Sequence, residues 1–263
     1  VLHHARQAQT ANRLAPRQTR SARGTAAVRG KYSPSARFWL HPDGAQVASA
    51  TAISAVRDWS GRDVSLSQGT ASKQPLSAGR EGVPCFTFDG VNDAIEVAAI
   101  DLTATQAVTI AIVEFRPVAT GGTVYEFSPN LNFNFGGFGF FANDAGQSFS
   151  GGYNGVTGYQ LKVVTSAIGQ WRSWVVVFNR ALPAADELSM FAQGQKITTF
   201  ASVLANENTS FCGNFAGWIG SRNNGTAYPF AGSVAHVLLL DRALSAQDAS
   251  ALSLEIAQAA GVA

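Results

Sequence analysis

The chain has 263 residues, enough for one large β-sandwich or two small domains. Only 14% of it is charged, against about 25% in an average soluble protein, so Gly, Ser, Thr, Asn and Gln must carry its solubility. No apolar run approaches the ~20 residues of a membrane-spanning helix, which argues against membrane insertion, and two cysteines exclude a disulfide scaffold or a Cys-rich zinc module.

Residues 1–36 read as an extended basic N-terminal arm. Eight of the nineteen basic side chains fall in the first 37 residues: Arg6, Arg13, Arg17, Arg20, Arg23, Arg29, Lys31 and Arg37. The first acid is Asp43, so the rest of the chain holds eleven bases against seventeen acids, a net of −6. The arm has few large apolar side chains and no helical or strand period, and alone it cannot bury a core. Its basic residues, from Arg6 to Lys31, are expected to dock onto other protein subunits of an oligomeric assembly. Nucleic acid would also attract arginine, but one aromatic and no dense basic run disfavour it. A transit peptide would share this Arg- and Ser-rich, acid-free composition, and the start at Val1 rather than Met fits either a processed chain or a piece cut from a longer one.

Residues 37–263 are expected to form one domain of many short strands. Gly, Asn, Asp and Pro punctuate β-rich runs at 36–40, 85–88, 94–97, 108–115, 123–127, 174–178, 189–192, 217–220 and 233–240. That spacing predicts an all-β, two-sheet antiparallel sandwich or jelly roll. The run at 234–240 is nearly all apolar, as in a central strand buried on both faces. A short C-terminal helix closes the chain, with Ser245 as its cap, Asp248 completing a capping box, and Ala249, Leu252, Ile256 and Ala259 as its apolar stripe.

Four segments in this order carry a family resemblance. Phe38, Trp39 and Leu40 with residues 56–61 (VRDWSG) come first, then 83–97 (VPCFTFDGVNDAIEV) with its Phe-Asp-Gly turn. A Trp-led hairpin at 171–197 turns at Gln193 and Gly194, and 218–252 supplies Phe-x-Gly, a long apolar strand and Asp-Arg-Ala-Leu-Ser. Together they resemble the LamG-like, concanavalin A-like lectin/glucanase jelly roll over about residues 37–257. The resemblance implies a structural or adhesion role, since such modules are common in bacteriophage head-decoration and tail proteins and in secreted carbohydrate-binding proteins. The expected location is accordingly a virion surface or the extracellular space.

The site residues divide into three groups. Asp89, Asn92 and Asp93 are the weak calcium candidates; their side chains can also bond turn amides. Calcium-binding members of the family often place an acid in the closing strand, where this chain has Val234, Ala235, His236 and Val237, so no cofactor is expected. His236 reads as a hydrogen-bonded structural residue. Aromatics crowd residues 125–159, where Phe133, Phe135, Phe138, Phe140 and Phe141 read as core. Tyr153, Asn154 and Tyr159 read as a glycan-binding surface, with Asn223 and Asn224 adding polar contacts or forming a hairpin turn with Gly225. Catalysis is not expected. Glycosidase chemistry needs two converging carboxyl groups, and the adjacent pair Asp186 and Glu187 reads as a solvated turn. No nucleophile elbow or phosphate-binding fingerprint is present. Cys85 and Cys212 read as buried free thiols, with pairing left open.

Overall fold

The computed structural model describes residues 24–47, 52–131, 136–142, 147–153, 159–204 and 211–262. In chain order the elements are α1 (24–32), β1 (Ala36–Leu40), β2 (Ala45–Val47), β3 (Ile53–Val56), β4 (Leu66–Ser67) and β5 (Leu76–Arg80). Next come β6 (Val83–Asp89), β7 (Ile95–Asp101), β8 (Ala107–Phe115), β9 (Gly122–Phe127), β10 (Phe138–Ala142), β11 (Gln147–Tyr153) and β12 (Tyr159–Thr165). The chain ends with β13 (Trp171–Asn179), β14 (Leu188–Ala192), β15 (Gln195–Lys196), β16 (Ser202–Leu204), β17 (Asn214–Ile219), β18 (Ala231–Leu240) and α2 (Ala246–Ala260).

The first sheet runs β15-β14-β13-β8-β18-β6-β5, with β1 also paired to β18. The second runs β16-β12-β11-β10-β9-β17-β7-β4-β3-β2. Every named pairing is antiparallel, and the expected jelly-roll sandwich is what forms. The nine runs read from the sequence all fall in or against strands.

The core lies in two layers because β8, β13 and β18 are buried on both faces. One face of the first sheet, with Ile110, Ile112, Trp174, Val176, Val237 and Leu239, packs against the second sheet. The other, with Val113, Val175 and Leu238, is covered by Leu252 and Ile256 of α2. The α2 helix starts as expected: the Ser245 hydroxyl accepts from the Asp248 amide at 3.1 Å.

Part of the arm is a correction. Residues 24–32 are helical, with Val28 and Tyr32 buried in the layer formed with α2. The extended reading fails here because three side chains at helical spacing, Thr25, Val28 and Tyr32, are enough once α2 supplies the opposing wall. The two helices cross closely at Gly24, where a Cβ would lie 2.9 Å from the Ala259 nitrogen. Two of the proposed docking cations are also engaged by the chain itself. Lys31 pairs with Glu255 at 3.1 Å, and the Arg29 guanidinium sits 5.9 Å from the Trp59 ring centre. Arg6, Arg13, Arg17, Arg20 and Arg23 lie outside the described residues.

Under the helices sits a buried histidine pair. In β18 the register against β8 shifts between Val234 and His236, a bulge that turns His236 toward the helix layer. There its Nδ1 accepts from Trp39 Nε1 at 3.3 Å, as the structural reading of this residue requires. Its ring lies 4.7 Å from that of His41, which stacks on Trp59 at 4.4 Å. His41 Nδ1 accepts from the Asp43 amide (3.2 Å), and its Nε2 faces Thr25 Oγ1 of α1 (3.3 Å). Both acceptor nitrogens are thus occupied by N–H donors, and a proton on either would evict its partner.

Burial drives His41 down from 6.5 to about 4, partly opposed by the Asp43 carboxylate. His236 is pushed well down by burial and by His41. Below pH ~6.5 the unfolded chain therefore binds protons that the folded chain refuses, so stability falls as pH drops from about 6.5 toward 4. At ~1.4 kcal/mol per pH unit for one group, His41 alone is expected to account for about 3 kcal/mol over that window. Urea unfolding between pH 7 and 4.5 measures it, and His41→Gln is expected to flatten the dependence.

Candidate functional site

The second sheet presents its outer face to two loops. On that face lies Glu126, fully buried in a strand of otherwise apolar and small side chains. Its Oε1 accepts from the Leu131 amide (2.7 Å) and the Ser128 hydroxyl (3.2 Å). Arg222 Nε stands 3.4 Å from the same oxygen, and the Asn223 amide donates to Oε2 at 2.9 Å. One carboxylate therefore holds both the loop after β9 and the loop between β17 and β18.

The second loop is built on a tight turn. Arg222 and Ala227 form an isolated bridge, and Asn223, Asn224 and Gly225 all take positive φ (50°, 59° and 73°). The hairpin-turn reading of Asn223 and Asn224 fits these angles. Gly225 lies against the Trp218 ring, where a Cβ would come within 2.8 Å. Arg222 spreads over two rings, 5.4 Å from the centre of Phe141 and 5.1 Å from that of Tyr228. Tyr228 is 61% exposed and holds φ at 50°, an unfavourable region for an aromatic residue, while its carbonyl accepts from the Thr123 amide at 2.9 Å.

Between this loop and the turn joining β6 to β7 lies a cleft of about 170 Å³. Lys73, Val91, Asn92, Ser221, Thr226 and Pro229 are among its walls. Val91 is 71% exposed at the rim. Ser221 is almost fully buried, yet its hydroxyl has no hydrogen-bond partner, and neither does the buried Oδ1 of Asn92. Buried polar atoms are seldom left unpaired in a folded protein, and both residues belong to the walls of this cleft.

The calcium candidates hold the turn between β6 and β7. Asp89 Oδ1 accepts from the amides of Val91 (2.7 Å) and Asn92 (3.2 Å), and Asp93 Oδ2 accepts from the Asp89 amide (2.9 Å). Burial, with Asp89 alongside, pushes the Asp93 carboxyl up to about 6 against the pull of that amide. Among the described residues, no group of three or more His, Cys, Asp and Glu is placed to hold a metal ion.

The remaining sequence-derived candidates separate. Tyr153 and Tyr159 are register partners in the β11–β12 hairpin, two and three strands from β9, and Asn154 lies outside the described residues. Phe138, Phe140 and Phe141 are buried, and Phe133 and Phe135 lie outside the described residues. Cys85 and Cys212 are buried free thiols in different core layers. Glu187 is a correction: it is buried rather than in a solvated turn, beside Arg180. Arg180 donates to the carbonyls of Phe211 and Gly137, each at 3.1 Å. Sequence reasoning missed Glu126, Ser221 and Tyr228. A lone Glu in an apolar strand was the available signal for the first; the other two have none beyond their polar loop.

Two antiparallel sheets with loops crossing one outer face define the class, a concanavalin A-like jelly roll. The chain belongs to the Laminin_G_3 family of the concanavalin A-like lectin/glucanases superfamily, whose pattern matches residues 89–250. Among solved structures it is similar to the Botulinum Neurotoxin Type G Receptor Binding Domain, with 11% identity, 83% of this chain and 51% of that one covered, and a TM-score of 0.56. It is also similar to the binding domain of Botulinum neurotoxin DC in complex with rat synaptotagmin II (11% identity, 84% and 52% covered, TM-score 0.60). A third is the Botulinum neurotoxin serotype D ligand binding domain in complex with N-Acetylneuraminic acid (10% identity, 86% and 52% covered, TM-score 0.57). The chain spans about half the length of these proteins, and at such identity the likeness is one of fold. No curated protein matches the chain.

Glu126→Ala is expected to cost about 2–4 kcal/mol, because it leaves two loop amides without their acceptor. Urea unfolding reads the loss. Faster amide exchange at Leu131 and Asn223 would localise it, and Glu126→Gln is expected to be milder.

Proposed function

We propose that the chain is a non-catalytic attachment module that grips a glycan through the cleft beside the 221–229 loop. The observation that carries this reading is a cleft of about 170 Å³ walled by the polar residues Lys73, Asn92, Ser221 and Thr226, with exposed Val91 at its edge and exposed Tyr228 on the same loop. A sugar offers hydroxyls to polar side chains and an apolar ring face to an aliphatic or aromatic neighbour. The non-catalytic part is supported by Glu126, a buried carboxylate whose oxygens already hold two loops. A glycan array probed with and without calcium tests the reading. Binding to a defined set of sugars that weakens in Tyr228→Ala is expected; Tyr153→Ala and Tyr159→Ala ask whether the β11–β12 hairpin shares the site.

The finer reading places the module on the surface of a phage-type particle or in a secreted adhesion protein. What favours the particle is charge: with Arg29 and Lys31 engaged by the chain's own helix layer, five arginines before residue 24 are left for a partner subunit. Removing residues 1–23 is therefore expected to abolish incorporation into the assembly while leaving the melting temperature of the folded body unchanged. Co-purification with particles and calorimetry check the two halves.

A further inference from the structure

We infer that α1 is an acid-released strap: proton uptake by the histidines beneath it undocks residues 24–32 from the body while the two-sheet sandwich stays folded. The strap operates whatever the cleft binds. It is held by little. Nine residues are too few to make a stable helix alone, and only Thr25, Val28 and Tyr32 are buried. Thr25 rests directly on the pair, with its hydroxyl oxygen 3.3 Å from His41 Nε2. One turn on, Arg29 reaches Trp59, the ring on which His41 stacks.

The strap can leave without breaking a strand ladder, because it precedes β1. The hinge behind it is pinned to the body. The Ser35 carbonyl accepts from the Asp241 amide at 3.0 Å, its hydroxyl accepts from Arg242 Nε at 3.1 Å, and Arg62 donates to the Pro34 carbonyl at 3.0 Å. None of these contacts uses a carboxylate or an imidazole, so acid leaves them in place. Helix α2 stays as well: it has fifteen residues, a capped start, and Ser253 accepting from the Gly194 amide at 2.6 Å.

The pair has no place for another proton. His41 Nδ1 accepts from the Asp43 amide, which leaves Nε2 to donate to Thr25, and His236 Nδ1 accepts from Trp39. His236 also bonds the backbone of Leu40 in β1 and Ala259 in α2. The charged groups nearby do not remedy this. The Asp43 carboxylate stands 3.7 Å from His41 Nδ1 but is 67% exposed, and Arg29 of α1 is itself a cation. Asp58, before Trp59, is turned onto the amides of Trp39 and Ser60. Lys31, with Glu255 and Asp248 of α2, forms the exposed outer edge of the helix contact, and such exposed pairs contribute little.

While α1 is docked, burial holds His41 down from 6.5 to about 4 against the pull of Asp43, and burial and His41 push His236 well down. Once α1 leaves, His41 regains water and its ordinary affinity for protons. The undocked state then binds protons that the docked state refuses, so docking weakens as pH falls from about 6.5 toward 4. Between pH 7.5 and 4.5 His41 alone weakens it roughly fifty- to a hundredfold, and His236 acts in the same direction.

Hydrogen exchange of the full chain, read by mass spectrometry at pH 7.5 and 4.5 and corrected for the intrinsic rate at each, tests the strap. Protection over 24–32 is expected to fall roughly fifty- to a hundredfold while β8 and β13 keep theirs. His41→Gln, which keeps a donor and an acceptor but takes no proton, is expected to abolish the fall. Glu255→Gln, which removes the ion pair with Lys31, is expected to preserve it. Should His41→Gln not fold, the wild-type His41 imidazole signal in proton NMR takes its place, with titration in step with the release of 24–32 expected. Equal protection over 24–32 at both pH values would overturn the inference, as would joint loss over 24–32 and the core strands. So would a fall that persists in His41→Gln, a fall that Glu255→Gln abolishes, or His41 titrating apart from the release.

Discussion

Ten residues of β18 carry almost nothing polar on either face, and this sets the number of layers. A strand of that kind must be covered twice. The second sheet covers one side through Val234, Val237 and Leu239; Ala235, Leu238 and Leu240 face the helices on the other. The same demand explains why α1 belongs to the body. At its far end β18 pairs with β1, whose Trp39 and Ala36 face the helix layer, and α2 alone leaves that end open. Val28 and Tyr32 close it. Because the bulge before His236 turns an imidazole into this layer, its closing seam contains two neutral histidines.

The second sheet lives under a different rule. Only one of its faces meets the core, so the other can carry Glu126 and Trp218, directly opposed in register between β9 and β17. A buried carboxylate is costly unless its lone pairs are met by donors. Here the donors come from two loops, so the satisfaction of Glu126 and the placement of the loops are one interaction. The cleft inherits its rigidity from that contact, since Ser221 precedes, and Thr226 and Pro229 follow, the residues that Glu126 holds.

Strands with strong β-residue runs between turn markers were legible in the sequence, as were the capping box of α2 and the two-sided burial of β18. The short strands β2, β3, β4 and β16 were not, because two to four residues carry no period to read. Helix α1 was hidden for a related reason: its apolar face is two large side chains wide, and it becomes a stable helix only against α2. For the site, the Asp89–Asp93 turn and the Asn223–Asn224 turn were each visible as turns. That they face each other across one cleft follows from β17 pairing with β7, a neighbour relation that local sequence does not encode. Ser221 illustrates the limit, since nothing around a serine reveals that its hydroxyl will be buried without a partner.

The distribution of unfavourable features bears on what the cleft is for. Asn223, Asn224 and Tyr228 hold left-handed backbone within six residues, and Ser221 Oγ and Asn223 Oδ1 lack partners in the same stretch. Strained non-glycine residues cost of order 1–3 kcal/mol each, and buried unpaired polar atoms cost a similar amount. A loop needed only to join β17 to β18 could meet its geometry with glycine and water-facing side chains. This one is held instead by the buried Glu126 carboxylate, by Arg222 between two rings and by the Tyr228 carbonyl bond to β9. Such firm anchoring of a locally unfavourable segment holds the cleft wall in one geometry, and a wall that is already ordered can meet a ligand without a further ordering cost.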